Sequence, residues 1–108
     1  VYAVPEIKQA NLASKVKVVS SDNVKSNLDW TAKSNVQVFD VGPPDHWIGW
    51  AGMDNVARGI VGKPAVKNEH IPLRVFLPSN LKGVNTANED SLYGAKFRDN
   101  YKKLWGIS

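Results

Sequence analysis

The apolar residues of this chain fall into short runs that alternate with segments of helical periodicity. Residues 36–41 are the clearest run, because they are mostly apolar and β-branched and are stopped by Gly42-Pro43-Pro44. From Trp47 onwards, apolar side chains recur every three or four residues, which predicts an amphipathic helix over 45–62. A strand that passes through a stiff turn into a helix is half of a βαβ unit, and ligands often bind at that edge of a sheet.

The rest of the chain repeats this alternation of strand and helix. Such an order predicts an α/β fold with parallel strands and flanking helices. The remaining predicted elements are helices over 4–13, 24–32 and 93–105, strands over 16–19 and 71–77, and a surface loop with almost no apolar anchor over 78–91.

Three strands make a thin sheet for the aromatic content of this chain. A sheet with helices on both faces needs more strands to cover its apolar side chains. The chain alone should therefore expose apolar surface, which indicates that it belongs to a larger body or self-associates. The large aromatic residues concerned are Trp30, Trp47, Trp50, Phe76 and Trp105.

Composition narrows the function classes. The 108 residues suffice for one small domain, and no apolar run approaches the roughly 18 residues of a membrane span. Cysteine is absent, which excludes disulfides and thiolate metal sites. The formal charge is +4, but the lysines are scattered and only residues 96–103 form a basic cluster. Because a polyanion binder needs a basic stripe on one face, we predict no nucleic-acid partner.

The sequence offers little for catalysis. His46 and His70 are the only histidines, and their spacing is not that of metal ligands. The segment that ends at Gly62-Lys63 fails as a phosphate loop because Pro64 follows where Ser or Thr is needed. No nucleophile elbow is present either. We therefore predict no enzyme activity, no metal and no cofactor.

Polar residues at the ends of the predicted strands are the best binding candidates. Asp22 follows the first strand and Asp40 ends the second, where a carboxylate can accept two hydroxyl hydrogen bonds from a sugar. The alternatives are a helix N-cap for Asp22 and a solvent-facing position on an edge strand for Asp40. Trp47 or Trp50 would stack on a sugar ring, although the stripe spacing makes at least one of them a core residue. Asp22, Asp40 and Trp47 are our candidate ligand-binding residues.

Several segments, taken in order, resemble the C-terminal part of the periplasmic sugar-binding proteins of the ribose-binding type. These proteins are the extracytoplasmic receptors of ABC importers. The resemblance is diffuse but spans nearly the whole chain, and a complete member would be about threefold longer. The chain begins Val1-Tyr2 without an initiator Met, so we expect a processed product, an engineered chain or a fragment, and the resemblance implies a C-terminal one. The segments that carry the resemblance are Asp22 between strand and helix, residues 36–45, residues 48–64, Ile71-Pro72-Leu73-Arg74 and residues 101–106.

The resemblance implies two Rossmann-like lobes of the type I periplasmic-binding fold, with a sugar or polyol held between them by hinge closure. Residues 1–41 would belong to the second lobe, 42–72 to the crossovers and a first-lobe helix, and 73–108 to the return into the second lobe. The implied partners are an ABC transporter permease and the remainder of the receptor chain, in a periplasmic or extracytoplasmic location. The implied hinge residues are Gly42, Pro43, Pro44 and Ile71.

Two implied positions bear on the ligand. Asp22 falls where the family places a sugar-binding aspartate. Gly42 falls where relatives of the ribose receptor carry a polar contact, which glycine cannot make, so the resemblance leaves the identity of the sugar open.

Two other functions remain open at this stage. One is the effector-binding domain of a lac-repressor-type regulator, which shares this architecture. The other is a small interaction module whose partner covers the Trp-rich face. For the isolated chain we expect weak sugar binding or none, and self-association, for which exchange of the 45–62 helix is one route.

Overall fold

The computed structural model describes residues 2–107, which form a small α/β fold with a three-stranded sheet. The predicted order of strands and helices is confirmed, with boundaries shifted by a few residues. The predicted 93–105 helix begins three residues later, at Lys96, and an additional short helix over Glu89–Tyr93 precedes it, ended by Gly94 with a φ of 82°. The elements are α1 (Ala3–Gln9), β1 (Val18–Ser21), α2 (Lys25–Lys33), β2 (Gln37–Gly42), α3 (Asp45–Ile60), β3 (Arg74–Phe76), α4 (Glu89–Tyr93) and α5 (Lys96–Trp105).

The sheet is mixed, with β2 in the centre. β1 pairs with β2 in parallel, as predicted, whereas β3 pairs with β2 antiparallel, so the prediction of a parallel sheet is wrong for β3. The cause is the path of the chain: α3 leaves the sheet at the end of β2, and residues 61–73 return to that same end. Gly42 at the end of β2 therefore pairs with Arg74 at the start of β3. An antiparallel edge strand on an otherwise parallel sheet is a common arrangement.

Hydrogen bonds fix this return path along α3. The Asn55 side chain accepts from the Val66 N–H at 2.7 Å and donates to the Glu69 carboxylate at 3.0 Å. Ile71, one of the proposed hinge residues, is half-buried and packs against α3 and α5. The connection is thus held on α3 before it enters β3.

Two apolar clusters hold the fold. The sheet cluster lies between α2, β3 and the segment that follows β3, and consists of Leu28, Phe76, Leu81 and Leu92. The helix cluster lies between α3 and α5 and consists of Ala51, Phe97 and Tyr101, with Trp47, Trp50, Ile71 and Trp105 packed against it.

The segment 78–91 is better anchored than its composition predicts. Leu81 is only 3% exposed and is a member of the sheet cluster, so the expectation of a loop with almost no apolar anchor is wrong. The segment ends in α4, whose N-cap Asn88 accepts a hydrogen bond from the Asp90 N–H. A single leucine among polar residues was too weak a signal to predict this.

The molecule is elongated. Its extents are 59 × 24 × 17 Å and its radius of gyration is 17.9 Å, against about 13 Å for a compact domain of 100 residues. Apolar side chains on α3 remain exposed, among them Met53 and Ile60 at 61% and 81%. The expected uncovered apolar surface is therefore present, although on α3 and not on the half-buried tryptophans. None of the helices within residues 2–107 is long and apolar enough to cross a bilayer.

Candidate functional site

A polar cavity of about 260 Å³ lies at the carboxyl ends of β1 and β2. Ligands of open α/β sheets bind at this kind of edge. The turn after β1, the start of α3 and the segment up to α4 form its walls. Its lining residues are Asp22, Asn23, Val24, Lys25, Asp45, His46, Thr86, Ala87, Glu89 and Leu92.

Asp22 is placed in this cavity by a sharp turn of the backbone. Asp22 and Asn23 both have left-handed conformations, with φ of 74° and 43°, which aspartate and asparagine tolerate better than most residues. The Asp22 N–H donates to the Val41 carbonyl at 2.9 Å, so the turn is attached to β2. The N-cap of α2 is Val24, without a side-chain hydrogen bond, so the N-cap interpretation of Asp22 is wrong. The Asp22 side chain is exposed beside the cavity.

Asp40 lies beneath this turn and is fully buried on the central strand. Its Oδ1 accepts from the Asn23 N–H at 2.9 Å, and its Oδ2 accepts from the Ser20 hydroxyl. The interpretation of Asp40 as a solvent-facing edge residue is therefore wrong. Both of its carboxylate oxygens bind the chain itself, so its observed contacts shape the turn, and direct contact with a ligand stays a prediction.

A buried polar chain extends from Asp40 under α2. Gln37 Nε2 donates to the Ser20 hydroxyl at 2.7 Å and to the Asn27 carbonyl at 2.9 Å, and lies 3.1 Å from Thr31 Oγ1. Hydrogen-bonded buried groups of this kind hold one arrangement, because an unpaired group in the interior is costly. The network joins β1, β2 and α2 directly behind the cavity.

The proposed hinge Gly42-Pro43-Pro44 is held by two side chains that sequence reasoning missed. Asn23 Nδ2 donates to the Pro43 carbonyl at 2.8 Å and to the Tyr93 hydroxyl oxygen at 2.7 Å. The Tyr93 hydroxyl in turn donates to the Gly42 carbonyl. Burial raises the pKa of Tyr93, which keeps the hydroxyl protonated as a donor. Asn23 and Tyr93 are distant in sequence, so no local pattern could have linked them.

Trp47 lies in a different place from Asp22. Its ring stacks on Phe97, with centroids 5.1 Å apart and an interplanar angle of 11°, and it borders a second cavity of about 200 Å³. Glu69 and Tyr101 also line that cavity. Burial raises the pKa of the Tyr101 hydroxyl to about 12. Trp50 stacks on Trp105 at 5.3 Å. The structure thus does not bring Trp47 to the polar cavity, and sugar stacking on Trp47 stays a prediction.

The start of α3 is tied to α4 and α5 at the rim of the polar cavity. Glu89 Oε1 accepts from the His46 N–H at 2.8 Å. Arg98 Nη2 bonds Asp90 Oδ1 at 3.1 Å and lies 3.3 Å from His46 Nδ1. The sequence did not predict the contribution of Glu89, because residues 78–91 were predicted to form a surface loop.

The lining is rich in hydrogen-bond acceptors. Asp22, Asp45 and Glu89 contribute carboxylates, while His46 and Thr86 add groups that can also donate. Within residues 2–107, no group of three or more His, Cys, Asp or Glu side chains is arranged to hold a metal ion.

No family model, curated protein or solved structure matches this chain. Its function therefore has to be inferred from the geometry of the polar cavity.

We expect Gly42→Ala to destabilise the fold by about 1–3 kcal/mol, because a Cβ there would overpack the turn. That atom would lie 2.8 Å from Asn23 Cγ and 3.0 Å from the Asn23 backbone nitrogen. Urea unfolding followed by circular dichroism would measure the loss. The matched control is Gly49→Ala, where a Cβ meets nothing within 4 Å and should leave stability equal or higher. Equal stability of Gly42→Ala and the parent chain would contradict this prediction and would show that the turn accommodates a Cβ without strain.

Proposed function

We propose that this chain is the part of a solute receptor that binds a sugar or polyol at the polar cavity. The observation that carries the proposal is the exposed carboxylate of Asp22, held on a fixed turn at the carboxyl ends of two parallel strands. Asp40 and Asn23 hold that turn by hydrogen bonds, so the carboxylate is positioned before a ligand arrives. Preorganised groups bind more tightly because less ordering is left to the moment of binding.

The chemistry of the lining favours a neutral polyhydroxyl ligand. An ionised carboxylate accepts strong hydrogen bonds, and its two oxygens can take two neighbouring hydroxyl groups of a sugar. Asp45 and Glu89 extend the acceptor surface on the opposite wall. The three carboxylates outnumber the one lysine of the lining, Lys25, which pairs with Asp29, so the net negative charge of the cavity disfavours an anionic solute.

Size and exposure indicate that the cavity is one wall of a larger site. Its volume of about 260 Å³ is at the small end of ligand pockets, which usually occupy about 300–1,000 Å³. Asp22, Asp45 and His46 remain exposed, so a bound sugar would face solvent on one side. In the proposed receptor, this chain forms the second lobe, and the remainder of the receptor supplies the first lobe, which closes over the ligand. An ABC permease on the extracytoplasmic side of the membrane would then recognise the closed form.

For the chain alone we expect weak, saturable sugar binding with dissociation constants in the millimolar range, because half of the contacts are missing. Titration of ¹⁵N-labelled protein with pentoses, hexoses and inositols, followed by NMR, would measure this. Shifts should be confined to the amides of residues 22–25, 45–46 and 86–89. Submillimolar affinity would contradict the expectation that half of the ligand contacts are missing from this chain. Amide shifts that are absent, or centred on the helix cluster, would contradict binding at the polar cavity.

Asp22→Asn should weaken this binding by about tenfold, because the loss of charge weakens the hydrogen bonds it accepts. The matched control is Asp99→Asn, an exposed aspartate on α5 that does not line the polar cavity. Equal weakening by both variants would indicate a general charge effect and not a contact made by Asp22.

A further inference from the structure

In an ordinary surface helix the apolar side chains face the core and the charged ones face solvent. Over most of α3 this arrangement is reversed. Between Trp47 and Ile60 its only ionisable residues are Asp54 and Arg58, and Asp54 is 3% exposed. Asp54 accepts from Arg58 Nε at 2.6 Å and from Trp105 Nε1 at 2.8 Å, so it faces its own chain. The hydrogen bond from Arg58, supported by that from Trp105, lowers the pKa of the Asp54 carboxyl. The side chains of Asp54 and Arg58 thus face the rest of the chain and not the solvent-exposed side of α3.

The outward face of α3 is uncharged and apolar over about four helical turns. Its glycines are open, since a Cβ at any of them would meet nothing within 4 Å. Its four large side chains are 44%, 61%, 57% and 81% exposed. We call this surface the α3 face, and it consists of Ile48, Gly49, Gly52, Met53, Val56, Gly59 and Ile60.

We propose that the α3 face binds the α3 face of a second copy of this chain, with the two helices antiparallel. The face carries both large side chains and glycines, so a large side chain at its centre can enter a glycine gap of the other copy. With the two-fold axis near the middle of the helix, Val56 of each copy meets Gly52 of the other. Such an isologous contact closes on itself and needs no further partner.

Charges at the two ends of α3 favour the antiparallel direction. Asp45 stands in the first turn, and Lys63 follows just beyond the last. An antiparallel pair brings Asp45 of one copy towards Lys63 of the other, whereas a parallel pair would bring like charges together. The helix dipoles have the same preference, because each positive end meets a negative end.

The size of the face predicts a weak dimer. A helix of 16 residues is about 24 Å long and about 10 Å wide, which gives a footprint on the order of 240 Å² per copy. Exposed Val61 and Leu104, which border one cavity beside the C-terminal end of α3, would enlarge it. The total of about 480 Å² is well below the roughly 1,200 Å² of a stable interface, so the dimer should be weak, with a dissociation constant on the order of hundreds of micromolar.

Exchange of α3 between copies, expected from the sequence, is disfavoured by these contacts. Exchange would first break the hydrogen bonds of Asp54 to Trp105 and of Asn55 to Val66 and Glu69. Contact through the α3 face leaves all of them intact. Side-by-side pairing therefore needs no opening of the fold, whereas exchange must break these hydrogen bonds before it re-forms them between copies.

Sedimentation velocity over a range from low to several hundred micromolar would test the pairing. The parent chain should shift reversibly from monomer to dimer. Val56→Glu, which places a charge at the centre of the face, should weaken the dimer by at least about tenfold. Leu73→Glu is the matched control, because Leu73 is 72% exposed but lies on the connection to β3, and this variant should dimerise like the parent.

Single cysteines would test the direction, because the chain has no cysteine of its own. Under oxidation, a mixture of Ile48→Cys and Ile60→Cys proteins should form a mixed disulfide dimer, while each protein alone should form little. Disulfides that form only between identical proteins would overturn the antiparallel arrangement. A monomer at every concentration, or equal weakening by Val56→Glu and Leu73→Glu, would overturn the α3 pairing itself. Val56 lies outside the polar cavity, so Val56→Glu should leave sugar titration unchanged.

Discussion

Phe76→Ala should be the most damaging single substitution in this chain, with a loss of about 3–5 kcal/mol in the free energy of unfolding. Phe76 is fully buried in the sheet cluster, where it contacts Leu28, Leu81 and Leu92. Its ring meets Tyr93 edge to face at 5.7 Å, which adds an aromatic contact to the area buried. Domains are stable by only about 5–15 kcal/mol, so a loss of this size would bring a domain at the lower end of that range close to unfolding.

The consequence of Phe76→Ala should extend to the polar cavity. Tyr93, which donates to the Gly42 carbonyl, loses the aromatic side chain against which it packs. Urea unfolding by circular dichroism would measure stability. Val75→Ala is the control, since its side chain is 50% exposed on the same strand and should cost less than about 1 kcal/mol. If Phe76→Ala does not fold, Phe76→Leu should still fold, because it leaves a smaller cavity and therefore costs less than Phe76→Ala. Equal losses for Phe76→Ala and Val75→Ala would contradict the assigned sheet cluster.

Asp40→Ala should cost about 2–4 kcal/mol, although it removes a charged group from the interior. The substitution leaves the Asn23 N–H and the Ser20 hydroxyl without their acceptor, and unpaired buried donors cost about 1–3 kcal/mol each. The turn that carries Asp22 then loses the hydrogen bond between the Asn23 N–H and the Asp40 side chain on β2. Urea unfolding and the NMR position of the Asn23 amide would report the two effects separately.

Two further variants make the Asp40 result specific. Asp40→Asn keeps an acceptor for the Asn23 N–H and should lie between the parent and Asp40→Ala. Asp22→Asn makes the same chemical change at an exposed aspartate of the same site and should alter stability by no more than about 0.5 kcal/mol. Equal stability of Asp40→Ala and the parent would mean that water replaces the carboxylate freely.

The sequence was informative where short-range signals determine structure. The apolar run at 36–41, stopped by Gly42 and Pro43, predicted β2, and the helical period after it predicted α3. The position of Asp22 beside a cavity at a strand end also followed from the α/β alternation. These features depend on periodicity and turn chemistry, which act over a few residues.

The sequence was uninformative where distant segments meet. The antiparallel direction of β3 depends on the return of the chain along α3, which Asn55 fixes through Val66 and Glu69. The hydrogen bonds from Asn23 and Tyr93 to the Gly42 turn span 20 and 51 residues, so no local pattern encodes them. The apolar period of α3 gave the helix but not its orientation, because Asp54 and Arg58 turn inward to pair with each other and with Trp105.

The pairing of Gly42 with Arg74 has a consequence for how this chain is organised. The chain departs and re-enters at adjacent points, so residues 43–73 are topologically an insertion within what is otherwise a β-hairpin. Insertions whose ends are close together can vary in length and content at little cost to the strands that flank them. The excursion can therefore change without altering the pairing of β2 with β3, provided that its contacts with α5 change with it.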